Sequence, residues 1–454
     1  MTLKIAMIFF FVMIVLEWLI CYFFKKKYVT LFDTISGISS GMTNNIKSIF
    51  KLSVVIVSYQ WMVEHFALFQ IESSLWLYIL AFVGTDFAYY WTHRWNHEIN
   101  LMWNRHIIHH SSEEFNLSCA LRQSISGIFQ VYFFLYIPLA IIGIPSNVMN
   151  LILPLHLFAQ FWYHTRIIKK MGILEKILVT PSHHRVHHAI NDEYLDKNYA
   201  SIFIIWDKLF GTFQEEIENI PPVYGVKKPV KTWNPLLINF MHLYQLFKDA
   251  IRTKKWIDKF RVFYKRTGWR PEDVSLKYPI EITTNPYTQI KYKSQSTYFL
   301  TFWSLSQLLL HFAIQYHIIH LLPNFQYQEL IVYAIFCITS IFSYTSLMDR
   351  HWFSIPLELT KLIIGVYLLF YNGEIFIISP NFSISETIIY SYLFVSFIIT
   401  IIYSTKTHEQ PKMIKWVLSI YNRKIFIVYL ILIDREKSLL HIVNKYNNFK
   451  LYEK

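Results

Sequence analysis

Histidines constrain this chain more than any other feature. They fall in three groups: HxxxH at His93 and His97, HxxHH at His106, His109 and His110, and HxxHH at His184, His187 and His188. On a helix, residues three or four apart lie one above another on one face, so each group can aim two or three imidazoles at one point. Three such segments converging supply at least eight ring nitrogens, enough for two metal ions at roughly four or five ligands each. His164 follows an apolar run and joins them; His156, two turns earlier on the same face, reads as a packed or hydrogen-bonded histidine. A fold that gathers these groups is required.

Upstream, Asp86, Tyr90, His93 and His97 share one helical stripe. A carboxylate inside an apolar segment is costly unless paired, which marks Asp86 as functional. Its expected role is to accept the second ring N–H of a ligating histidine. The alternative is an ion pair with Arg94 or Arg105. Glu98 faces a similar choice, since Arg94 lies four residues before it.

The rest of the chain says where such a site must sit. It is 54% hydrophobic and only 16% charged, with aromatics at 18%, which points to an all-α integral membrane protein. Ile5 to Phe24 is long enough to anchor and ends in Lys25-Lys26-Lys27, with no small-residue cleavage site. Thr30 to Asn45 reads as a polar connector. Ile46–Phe69, Leu75–Trp91, Ile125–Ile144 and Pro145–Tyr163 read as further apolar segments, the last two joined by a turn at Gly143-Ile144-Pro145. Thr92 to Gln123 is too polar for lipid and should lie as helices at the membrane surface. Arg166 to Ser294 is polar but too aromatic to be disordered, and forms a helical cap. Then come apolar runs at Tyr298–Leu322, Leu330–Leu347, Ile355–Tyr371, Thr387–Tyr403 and Lys424–Ile433.

The expected architecture is a multipass helical bundle whose cap holds a histidine-rich two-metal site. Residues 1–290 carry the site, and 291–454 form a second hydrophobic region of unassigned role. Lysine and arginine in short loops, Lys406–Lys415 among them, place the histidines on the cytosolic side. The same rule accounts for the net charge of +13 without nucleic acid. Cys21, Cys119 and Cys337 are isolated and give neither a disulfide framework nor thiolate zinc.

All-imidazole sites suit zinc, copper, iron or nickel, and ligand type does not choose among them. Structural zinc needs fewer ligands and usually cysteine. A pair of redox metals activating O2 at a membrane surface uses all the histidines, and such chemistry attacks the unactivated C–H bonds of lipid chains. A histidine-rich metal transporter would instead spread its ligands across several spans at midplane depth.

Several stretches resemble the fatty acid hydroxylase (sterol desaturase) superfamily, and within it the alkylglycerol monooxygenase branch. They are Asp86–Tyr90 with His93-Arg94, His97-Glu98, Trp103 through Ser112-Glu113-Glu114 to Ser118, and Leu121–Ser124. Further on they are Gln160–Thr165, Pro181–His188, Asp196–Tyr199 and Trp206–Phe213. The resemblance implies a membrane oxygenase with two irons held by His93, His97, His106, His109, His110, His184, His187 and His188, with His164 as an additional ligand. Some members carry a further histidine where this chain has Gln160. Glu98 matches a position linked to a tetrahydrobiopterin cofactor, His183 would support the ligands, and Asp207 and Lys208 would fix the cap. The implied reaction uses O2 to hydroxylate the carbon beside the ether oxygen of an alkylglycerol, releasing fatty aldehyde and glycerol. Fatty-acid, sterol or carotenoid hydroxylation in the same superfamily is the competing reading. A homodimer is compatible with all of these. The membrane would be the endoplasmic reticulum in a eukaryote and the inner membrane in a bacterium.

Overall fold

The computed structural model describes residues 2–72, 74–321, 327–371, 377–379, 382–383 and 386–404. The run Lys424–Ile433 and the basic loop Lys406–Lys415 lie outside them. Among the described residues the fold is helical throughout, apart from a short antiparallel pair, Ile377–Ser379 with Phe382–Ser383.

Three described helices are long and apolar enough to cross a membrane: Ile5–Phe23, Gln328–Met348 and Thr387–Ser404. This is an integral membrane protein. Two expected spans shrink. Ile125–Ile144 becomes a 3-10 turn, Phe133–Tyr136, running into the six-residue helix Ile137–Ile142. Pro145–Tyr163 yields the helix Ser146–Phe158, whose 13 residues reach about 20 Å, short of a hydrocarbon core of about 30 Å.

The expected connector at Thr30–Asn45 is instead most of a buried helix, Leu31–Ile49. The apolar segment expected from Ile46 ends that helix at once and re-forms only as the short helix Tyr59–Phe66. The small residues in Leu31–Ile49 are its packing surface. A Cβ on Gly37 would sit 2.8 Å from the Ser118 carbonyl oxygen, and one on Gly41 3.1 Å from that of Leu121. Glycine lets this helix lie directly on the 3-10 turn Leu117–Leu121, just past the second histidine group.

The same helix joins the two halves of the chain. Ile35, Ile38 and Ile46 share one apolar core with Leu300, Leu308, Ile341, Leu347 and Leu393. Asp349 takes hydrogen bonds from the Thr232 hydroxyl at 2.5 Å and the Tyr292 hydroxyl at 2.9 Å, tying the second half to the cap. Inside the second half, Lys361 and Glu358 form a buried pair at 2.7 Å. Gln307, Tyr392 and Ser396 also accept from the Lys361 ammonium, so its hydrogens are well used in an apolar bundle.

The helix Leu75–Glu98 is started by Ser74, whose hydroxyl accepts from Leu77 N at 3.3 Å. Its buried face carries Leu77, Ala81, Thr85, Asp86, Tyr90, His93 and His97, an apolar stripe that turns polar toward its C-terminus. The third histidine group opens at Pro181, which occupies the first turn of the helix Pro181–His187.

Candidate metal centre

All nine histidines singled out in the sequence converge, in two groups. One ring nitrogen from each of His93, His97, His106, His110 and His187 lies within 4.8 Å of the others, and the same holds for His109, His164, His184 and His188. The groups abut: the His110 and His188 rings stack with centroids 4.2 Å apart. Each group draws on separate chain segments, so neither can exist before the tertiary fold.

The nitrogens meet as acceptors without donors. In the second group the Nε2 atoms of His109, His164, His184 and His188 approach each other at 2.9 to 3.3 Å. In the first, His93 Nε2 and His106 Nε2 are 2.9 Å apart, while the buried Nε2 atoms of His97, His110 and His187 have no hydrogen-bond partner. Burial holds all nine below the usual histidine range, with His93 at about 4 and His164 at about 3. Neighbouring imidazoles add to the effect for most of them. Nine imidazoles facing one another, seven of them buried, form the donor set of a first-row transition-metal site.

The other ring nitrogen fixes several of these rings. His93 Nδ1 donates to Tyr199 O at 2.6 Å, His187 Nδ1 to Lys197 O at 2.9 Å and His164 Nδ1 to Gln160 O at 3.0 Å. His109 uses the Arg122 main chain. An N–H spent on a carbonyl sets the tautomer and leaves Nε2 free as a ligand.

Two of those carbonyls come from a segment that sequence reasoning undervalued. Asn198 sits between Lys197 and Tyr199 with φ of 55°, in the left-handed region where asparagine is tolerated. Its Nδ2 donates to His183 O and Gln214 O, and its Oδ1 accepts from Gln214 N. Two carboxylates then clamp the following backbone. Asp207 takes the N–H groups of Tyr199 and Ala200, each at 2.8 Å, and Asp86 those of Ile202 and Phe203, each at 3.0 Å. The available signal was an asparagine beside a motif, which alone does not announce a turn. Asn198→Ala should cost about 2–3 kcal/mol, from left-handed strain and lost hydrogen bonds, with Asn198→Gly milder. Denaturant midpoints of the detergent-purified protein would show it; equal effects from both variants would deny the conformational part.

Asp86 corrects an expectation. It touches none of the nine histidines and neither arginine. Its Oδ1 accepts from His156 Nε2 at 2.7 Å, and its Oδ2 from Trp206 Nε1 at 2.9 Å. Trp206 and the two backbone amides come from the loop that carries Tyr199, so geometry favours Asp86 as a loop clamp. Glu98 pairs with Arg94 at 3.1 Å and remains partly exposed, outside both groups. The His183 ring packs edge-on against Phe213 and is not in either group. Lys208 donates to Lys176 O at 2.9 Å, a cap contact. The three cysteines are free and buried.

A cavity of about 1000 Å³ opens onto the histidines. His93, His106, His109, His164 and His184 are among its lining residues. Much of the rest is apolar, with Ile5, Phe9, Phe10 and Ile14 of the first helix and Leu151, Leu155, Phe158 and Phe161. Asn44, Lys47, Asn96, Arg105 and Gln123 supply a polar region.

Residues 78–212 match the family model for fatty acid hydroxylase, a span that contains all nine histidines. The chain is similar to alkylglycerol monooxygenase of Homo sapiens, 36% identical over 391 residues and 86% of each chain. It is 39% identical to that of Danio rerio over 259 residues, 57% of this chain and 56% of the relative. Ornithine lipid hydroxylase OlsE of Rhizobium tropici matches at 31% over 136 residues, 30% of this chain and 41% of the relative. No solved structure matches the chain. With paired histidine groups bordering a largely apolar cavity and similarity running over most of its length, the chain belongs to the alkylglycerol monooxygenase family.

Proposed function

We propose that this protein is a two-iron membrane monooxygenase that cleaves the ether bond of alkylglycerols with tetrahydrobiopterin as reductant. The observation that carries the reading is the cavity, which brings five of the nine imidazoles together with apolar residues of a candidate membrane helix. Two irons would be held by His93, His97, His106, His110 and His187, and by His109, His164, His184 and His188. They would supply activation of O2 for insertion of one oxygen atom into a C–H bond.

The chain's own residues do the rest. The apolar stretch from Ile5 to Ile14 receives the alkyl chain, which places the headgroup end near the histidines. Phe158 and Phe161 extend that apolar lining. Oxygen inserted beside the ether oxygen yields a hemiacetal, which collapses to fatty aldehyde and glycerol. Glu98, partly exposed beside Arg94, would contact the pterin. The site faces the cytosol, and the region after residue 290 braces it through the shared core.

The test is aldehyde release from an alkylglycerol by purified, iron-loaded protein with and without tetrahydrobiopterin. Pterin-dependent aldehyde is expected. No aldehyde with about two irons bound per chain would overturn ether cleavage and favour hydroxylation of another lipid. Glu98→Gln should raise the pterin KM about tenfold, the loss of one charged hydrogen bond, and leave bound iron unchanged. An unchanged pterin response would reduce Glu98 to the partner of Arg94.

A further inference from the structure

Two helices of the cap turn apolar faces to solvent. Pro235–Arg252 buries Ile238, Asn239, Leu246 and Asp249, and points Phe240, Tyr244, Phe247 and Ile251 outward, a stripe that recurs every three or four residues. The next helix, Trp256–Tyr264, buries Asp258 and Val262 and exposes Trp256, Ile257, Phe260 and Tyr264 in the same rhythm. Ile251 is 77% exposed and Trp256 71%. Phe247 meets Phe263 with ring centroids 5.4 Å apart, so the two helices present their aromatics side by side. A patch of this kind marks an interaction surface.

Its charge is one-sided. Residues 235–265 hold seven lysines and arginines against two aspartates. The nearby carboxylates are spent: Asp249 on Arg270 at 2.7 Å, Asp258 on Arg261 at 3.3 Å and Glu272 on Lys255 at 4.0 Å. Among the described residues, Lys248, Arg252, Lys254 and Lys265 form no ion pair. Lys248 lies over the exposed Tyr244 ring instead, 4.6 Å from its centroid.

The first of these helices is held where a membrane span ends. Asn234, its cap, donates through Nδ2 to Phe342 O at 3.1 Å and Ser346 Oγ at 2.7 Å, toward the end of the candidate span Gln328–Met348. Farther along, Leu243 N donates to Asn104 Oδ1 at 2.8 Å, just past the end of Leu75–Glu98. The helix therefore lies across the ends of two long helices and extends neither. Helices with an aromatic face rimmed by lysine bind in the headgroup region of a bilayer, and each basic residue there adds attraction toward anionic lipid. A second copy of the chain fits less well, because a two-fold contact would set the same unpaired cations against themselves.

We propose that Pro235–Arg252 and Trp256–Tyr264 bind the anionic lipid surface of the membrane that the protein spans. This role is separate from the reaction at the histidines and does not depend on it.

The experiment places an environment-sensitive fluorophore on Ile257→Cys in the full-length protein, whose own three cysteines are buried. The protein is reconstituted one copy per nanodisc, in phosphatidylcholine alone or in an equimolar mixture with phosphatidylserine. Acrylamide, a neutral quencher, reads how much of the probe is open to water. The ratio of shielded to open probe should rise about fivefold in the mixed disc, the scale of a single lysine at an anionic surface. Combining Lys248→Glu, Lys254→Glu and Lys265→Glu should abolish that rise while bound metal stays unchanged. A probe open to acrylamide in both discs, or shielded equally in both, would overturn the proposal. So would shielding that arises only when two copies share a disc, which would assign the face to a dimer. The lipid comparison uses protein with its charges intact, so a triple variant that fails to fold leaves the test standing.

Discussion

His109→Ala and His187→Ala should each reduce activity by more than about a hundredfold while leaving membrane insertion intact. The two residues belong to different groups: His109→Ala leaves three imidazoles at its position, His187→Ala four at the other. Bound iron, measured by elemental analysis, should fall from about two per chain to about one in His109→Ala and stay higher in His187→Ala. The physical basis is the crowding of lone pairs. With His109 removed, its group keeps three donors, His164, His184 and His188, of which His164 is oriented from behind by Gln160 O. Three imidazoles hold a first-row ion far more weakly than four. His93 and His106 would still meet at 2.9 Å in the other group. Full activity with full metal content in both variants would sink the two-metal reading.

Much of this centre was legible because metal ligation needs few residue types at fixed helical spacing. HxxxH and HxxHH state which rings share a face before any fold is known. Spacing alone does not say how rings divide between two positions. His109 and His110 are adjacent in sequence yet serve different groups, because neighbours on a helix point about 100° apart. The supporting shell was harder to read. It consists largely of main-chain carbonyls from Lys197, Tyr199, Gln160 and Arg122, and a carbonyl carries no side-chain signature. Asp86 reads from the sequence as a carboxylate that needs a partner and His156 as a packed or hydrogen-bonded histidine, which it is, but nothing in the sequence ties the two together across 70 residues.

The fold was legible where apolar length alone decides. The first helix and the runs Tyr298–Leu322, Leu330–Leu347, Ile355–Tyr371 and Thr387–Tyr403 fall close to their expected bounds. Thr30–Asn45 failed for a physical reason. Glycine, serine and threonine read as loop formers in water, yet in a membrane protein small residues let backbones approach closely. The buried hydroxyls there are satisfied locally or across the interface. Ser39 Oγ reaches Ile35 O at 2.6 Å and the Tyr344 hydroxyl at 2.6 Å.

The same helix sets the second large expected effect. Asp33 and Arg122 form an ion pair at 2.8 Å with both side chains almost fully buried. Asp33 Oδ2 also accepts from Ser112 Oγ at 2.8 Å, and Arg122 Nη1 donates to Ser111 Oγ at 2.7 Å. Ser111 and Ser112 directly follow His110, and the Arg122 main chain holds the His109 ring. Breaking the pair therefore reaches both metal positions. Asp33→Ala leaves a buried guanidinium without its counter-charge and should cost about 3–5 kcal/mol in denaturant unfolding of the detergent-purified protein. Iron bound at the His109 group should fall with it. Replacing both partners, Asp33→Ala with Arg122→Leu, removes the stranded charge and should recover most of the stability. It should not restore full iron, since the Arg122 side chain no longer anchors the segment behind His109. A single variant as stable as the unmodified protein would show that water reaches the pair. A double variant no better than the single would place the cost in lost packing between Leu31–Ile49 and the turn at Leu117–Leu121, rather than in electrostatics.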